Sequence, residues 1–212
     1  MRPYEKDPSA IYAASFATVR REAKLDRFAP AMQPVITRLI HSCGMVEIAY
    51  RLAFSPDAAA VGHAALQAGK PVLCDCEMVG AGIIRRYLPA KNEVIVTLND
   101  ASVPGRAKDI GNTRSAAAVE LWESHLEGAV VAIGNAPTAL FHLLELIDAG
   151  GPKPAVILGF PVGFIGAAES KAELVANARG CEYIALRGRR GGSAMASAAV
   201  NALAAGLPED CV

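Results

Sequence analysis

Aromatic residues are scarce, at 6% of 212, and neither sign of charge is in surplus, since Lys plus Arg and Asp plus Glu both total 21. A nucleic-acid-binding protein of this size normally carries a basic excess, so that class is disfavoured. Cysteine is also sparse: the five are an odd number without paired spacing, and Cys74-Asp75-Cys76 is only a C-x-C. Zinc sites usually need two separated ligand pairs, so no metal is expected, and the thiols read as reduced and buried. There is no uninterrupted apolar run of about 20 residues, and Met1 to Asp7 holds no apolar signal core, so neither a membrane span nor a secretion signal is expected. The chain reads as cytoplasmic. Neither G-x-G-x-x-G nor G-x-x-x-x-G-K-[ST] occurs, which counts against a simple NAD or ATP enzyme.

What is plentiful is aliphatic, in a chain 52% hydrophobic. Five short runs have strand character: Pro71 to Cys76, Val94 to Leu98, Ala129 to Ile133, Ala155 to Phe160 and Tyr183 to Leu186. Each is continuously apolar rather than alternating, as in strands covered on both faces. Helical patterns lie between them, at Val79 to Tyr87, Ser115 to Leu126, Ala136 to Ala149 and Lys171 to Asn177, and an alanine-rich helix closes the chain from Ser193 to Ala205. This alternation predicts an α/β fold, one three-layer α/β/α domain over 1–212 with a mostly parallel five-stranded sheet. Residues 1–69 form a mainly helical lead-in. Its helices are expected from Pro8 to about Lys24 with Ser9 as cap, from Pro34 to His41 and from Asp57 to Ala68. Residues 70–212 carry the alternating part.

In such sheets ligands collect in the loops at the carboxyl ends of the strands. Four of those loops have chemical character. Gly134-Asn135-Ala136-Pro137-Thr138 opens a helix whose first N–H groups can receive an anion. Gly159 to Lys171 is long and apolar, and Phe160, Val162 and Phe164 are candidates for the wall of a pocket for a flat hydrophobic ligand. Arg187 to Ser193 interleaves arginine with glycine before a helix start, a plausible carboxylate or phosphate cradle, and Thr113-Arg114-Ser115 offers another. Single charge clusters are more often solvated faces. Of the four histidines, His63, His125 and His142 fall in ordinary helical or polar contexts. His41 closes an apolar helix just before Gly44, a helix stop; there it is either a cation favoured at a helix C-terminus or a functional group.

Six segments, in order and at compatible spacing, together resemble the precorrin-8X methylmutase family: Ile40-His41-Ser42-Cys43-Gly44, Cys74 to Val79 with Gly82-Ile83, Thr113-Arg114-Ser115, Gly134 to Leu140, Gly159 to Phe164 with Glu169-Ser170-Lys171, and Gly188 to Ser193. The resemblance implies a homodimeric isomerase of cobalamin biosynthesis. It would move a methyl group from carbon 11 to carbon 12 of the tetrapyrrole precorrin-8X to give hydrogenobyrinate, by an acid-assisted sigmatropic shift without cofactor or metal. It further implies His41 as the catalytic acid. Ser15, Arg114, Thr138, Gly163, Phe164, Lys171, Arg189 and Arg190 are the implied substrate contacts. Three other readings stay open: a non-catalytic tetrapyrrole carrier, the same reaction on a cobalt-containing substrate, and a nucleotide- or phosphosugar-dependent α/β enzyme.

Overall fold

The structure, a computed structural model, describes residues 4–205. The expectations touching Met1 to Pro3 and Cys211 lie outside the described residues. Among these residues six strands form one sheet: β1 (Leu52–Phe54), β2 (Val72–Cys74), β3 (Val94–Val96), β4 (Val130–Ile133), β5 (Val156–Gly159) and β6 (Glu182–Leu186). Their order is β1-β6-β5-β4-β2-β3. All neighbours are parallel except β1, which pairs antiparallel with β6. The five expected strands are present. The sixth, β1, comes from the lead-in, where Leu-Ala-Phe is too short to show any periodicity.

Among the described residues ten α-helices surround the sheet: α1 (Pro8–Ala23), α2 (Gln33–Cys43), α3 (Ala58–Gln67), α4 (Glu77–Gly82), α5 (Val103–Asp109), α6 (Arg114–Glu120), α7 (Glu123–Leu126), α8 (Pro137–Asp148), α9 (Ala167–Ala176) and α10 (Ser193–Ala204). Successive strand residues point to opposite faces, and two cores result. Val72, Cys74, Val130, Ala132, Val156 and Leu158 join the core with α2, α3 and α10. Leu73, Val131, Ile133 and Ile157 join the other, with Trp122 and α8. Double coverage is why these strands read as unbroken apolar runs.

Local chemistry shifts several boundaries. The cap of α1 is Asp7, which accepts the Ser9 N–H at 3.1 Å, rather than Ser9 itself. The segment Val79 to Tyr87 is not one helix: α4 ends at Gly82, and Arg85–Tyr87 is a separate 3₁₀ turn. Likewise α6 and α7 divide what reads as one helix from Ser115 to Leu126, and α5 fills what reads as loop. No helix among the described residues is long and apolar enough to cross a membrane.

The chain runs from β2 outward to β3, then crosses back to β4 and continues through β5 to β6. Its direction therefore reverses between β2 and β4, the place where sheets of this kind leave a crevice at their carboxyl ends.

Candidate active site

At that switch point the expected anion seat exists, but the protein occupies it. Asp75, just past β2, is buried and accepts three main-chain N–H groups, from Gly134 (2.9 Å), Asn135 (2.9 Å) and Ala136 (2.7 Å). Burial pushes its carboxyl pKa up, and the three N–H groups oppose that rise. The reading of this helix start as open to a ligand anion is thereby corrected: the donors are spent on a side chain brought from the neighbouring strand.

The accessible space lies beside it, against α2 and α10. Helix α2 buries Val35, Ile36, Leu39 and Ile40, and turns Arg38 and His41 to its other face. Residues three apart on a helix are neighbours, so arginine and histidine address the same space. Gly44 ends α2 in the left-handed region (φ 69°), and its N–H returns to the Ile40 carbonyl at 2.7 Å. His41 thus stands on the last turn, exposed.

A cavity of about 360 Å³ lies between α1, α2, α4 and α10, lined among others by Tyr12, Arg38, His41, Met78, Ser193 and Asn201. A second, of about 380 Å³, lies on the other side of His41, against Ser15, Thr18 and Gly44. His41 lines both, and Ser15 the second. Ser15 Oγ lies 2.8 Å from His41 Nδ1, so the serine fixes the ring and leaves Nε2 for another partner. Tyr12 and Phe16 flank the imidazole, with ring centroids at 5.5 and 5.3 Å.

Arg38 escaped the sequence reading. Its guanidinium stands over Phe16 (5.7 Å) and Tyr87 (5.2 Å), and no carboxylate of the described residues pairs with it. An arginine held by two rings with its fork unpaired is prepared for an external anion. Nothing local in the sequence marks it, because its two rings come from α1 and from the turn after α4.

The remaining expected residues fall into two groups, neither lining the His41 cavity apart from the adjoining Ser193. Arg114 donates to the Leu98 carbonyl (3.1 Å) and Asn99 Oδ1 (3.2 Å). Thr138 meets Thr113, the cap of α6, at 2.8 Å. The other group is built on the loops after β5 and β6. Gly163 N–H donates to the Arg189 carbonyl, and the Arg189 guanidinium lies 5.5 Å from the Phe164 ring. Arg190 pairs with Glu47 at 3.0 Å, just beyond the end of α2. The Glu47 carboxyl is held below its usual range, first by its own main-chain N–H and then by Arg190.

One expectation needs correction. Phe160 is wholly buried and forms no pocket wall, whereas Phe164 and Ile165 are 83% and 90% exposed. Lys171, expected to touch a ligand, is also wholly buried, and its ammonium donates to the Arg190 carbonyl at 2.6 Å.

Comparison with known proteins adds to this picture. The family model described as Precorrin-8X methylmutase matches residues 10–205. The chain is 60% identical to a precorrin-8X methylmutase of Pseudomonas aeruginosa, over 96% of this chain and 98% of the relative. It is 56% identical to another from a Sinorhizobium species, over 95% and 96%. A solved precorrin-8x methyl mutase from Thermus thermophilus superposes with a TM-score of 0.84 at 38% identity, over 92% of this chain and 94% of that one. These matches define the class, an isomerase that moves a methyl group. The chain belongs to the precorrin-8X methylmutase family.

Proposed function

We propose that the protein moves the methyl group of precorrin-8X from carbon 11 to carbon 12, giving hydrogenobyrinate, with His41 as general acid. The observation that carries this reading is His41 itself, an exposed imidazole pinned through Nδ1 by Ser15 and facing a cavity that also holds an unpaired arginine. In the protonated form, Nδ1–H donates to Ser15 and Nε2–H is offered to the macrocycle. The added proton draws electron density through the conjugated system and weakens the bond from carbon 11 to its methyl group. That bond breaks as the bond to carbon 12 forms on the same face. No atom is gained or lost, so the proton returns to His41 when the shift is complete. General acid help of this kind is worth roughly 10²–10⁴ in rate.

A tetrapyrrole carries a rim of carboxylates, and Arg38 is suited to one of them. Replacing Arg38 with methionine is expected to raise KM about 10- to 100-fold with little change in kcat, the loss of one charge-assisted hydrogen bond. Steady-state kinetics and hydrogenobyrinate titration check this; an unchanged KM would remove Arg38 from the site. Arg114, Thr138, Gly163, Phe164, Arg189 and Arg190 are assigned to the outer parts of the macrocycle. A cavity of about 360 Å³ is smaller than a whole corrinoid. The exposed Phe164, Ile165, Val162 and Met78 offer further apolar surface, which supports a homodimer whose second copy covers part of it. Four unpaired thiols among the described residues accord with the cytoplasm, and one shared sheet accords with a single domain over 1–212.

The deciding experiment mixes the purified protein with metal-free precorrin-8X and follows the visible spectrum. Growth of a hydrogenobyrinate spectrum is expected. Tight binding without conversion would indicate a carrier, and conversion of only the cobalt-containing substrate would move the protein to that route.

A further inference from the structure

Lys171 sits on α9 with its side chain wholly buried and no carboxylate of the described residues paired with it. Burial alone depresses its pKa to about 8, so it remains mostly charged at neutral pH. An unpaired buried ammonium is costly, and an apolar side chain of the same length would fill the space without that cost. The partner of the ammonium explains its presence: it is the main-chain carbonyl of Arg190, at 2.6 Å.

That carbonyl lies in the loop joining β6 to α10, which is tied to the loop after β5 on either side. The Gly163 N–H donates to the Arg189 carbonyl at 3.2 Å, and the Gly192 N–H donates to the Phe160 carbonyl at 2.8 Å. Between these ties, Gly191 lies so close to the Phe160 and Pro161 carbonyls that no Cβ fits there. The middle of the loop is secured by Lys171 from beneath. From this loop Arg190 reaches Glu47 and Met45 beyond the end of α2, and Ser193, the first residue of α10 after it, lines the His41 cavity.

We propose that Lys171 is a positioning residue: its ammonium holds the Arg190 carbonyl and so sets where Arg190 and Ser193 stand beside the His41 cavity. The proposal rests on the methylmutase reading. Buried as it is, Lys171 touches no substrate, so its effect passes through the loop.

Two variants test this, Lys171→Met and Lys171→Gln. The methionine variant is expected to fold with a thermal midpoint at or above that of wild type at pH 7, yet to lose about 10- to 100-fold in kcat/KM, mainly through KM. Its hydrogenobyrinate affinity should fall in parallel. The glutamine variant keeps a donor for the carbonyl and should recover much of the loss. The stability advantage of the methionine variant should also shrink at high pH. Below pH 8 the lysine is protonated in both the folded and the unfolded chain, and the burial cost stands in full. Between about 8 and 10.5 the unfolded chain binds more protons, so wild-type stability rises with pH. Wild-type kinetics in the methionine variant, or a loss of stability in step with activity in both variants, would overturn the proposal. If wild type itself converts no precursor, the methylmutase reading fails, and hydrogenobyrinate affinity still reports on the loop.

Discussion

Replacing His41 with alanine is expected to lower turnover by about 10²–10⁴-fold while hydrogenobyrinate still binds nearly as well as to wild type. The separation follows from what the side chain does. On the proposed mechanism it supplies a proton as the methyl group migrates, an interaction made in the transition state and largely absent from the bound product. Binding is assigned, in the same proposal, to Arg38, to the outer arginines and to apolar surface, all of which the substitution leaves in place. Single-turnover spectra measure the first quantity and a product titration the second. Because the imidazole is exposed between two depressions, the gap left by alanine is open to solvent. Added imidazole should therefore restore part of the rate, with a dependence on its concentration. Full turnover in the alanine variant would sink the acid role, and equal loss of binding and turnover would make His41 a binding residue only.

The second large effect is on stability. Asp75→Ala is expected to destabilise the fold by about 3–5 kcal/mol, because two buried N–H groups and a part-buried third lose the carboxylate that accepts them. For a chain of this length each kcal/mol moves the melting temperature by roughly 2–4 °C, so a drop of about 10 °C is the scale to look for. Asp75→Asn should fall between the variant and wild type. One of its two oxygens becomes an NH₂ group, which faces N–H donors it cannot satisfy. Chemical denaturation followed by circular dichroism reads both variants. If Asp75→Ala melts with wild type, the carboxylate is not the brace that its geometry indicates.

These two residues differ in how visible they are before folding. His41 stands out in sequence because its surroundings are local: an apolar helix before it and Gly44 to stop the helix after it. The five parallel strands are visible for a similar reason, since burial on both faces leaves an unbroken aliphatic run. Asp75 is hidden, because its meaning depends on N–H groups some 60 residues away that only the β2–β4 pairing brings into reach. Arg38 is hidden by the same logic, with its aromatic supports on two distant segments. The strand β1 is hidden by its three-residue length, and the depth of Lys171 by a sequence context, Glu-Ser-Lys, that reads as a solvated helix start. Segments whose role is set by neighbours in the chain are legible; those set by contacts across the fold are not.

The Asp75 brace has a metabolic consequence. Cells hold nucleotides and sugar phosphates at high concentration, and α/β sheets commonly present them with main-chain donors at the switch point. Here the Asp75 side chain is tethered to that seat and takes up the donors that a phosphate would need. A phosphate could reach those donors only by displacing Asp75, so the open space of this switch point is the neighbouring cavity against α2 and α10.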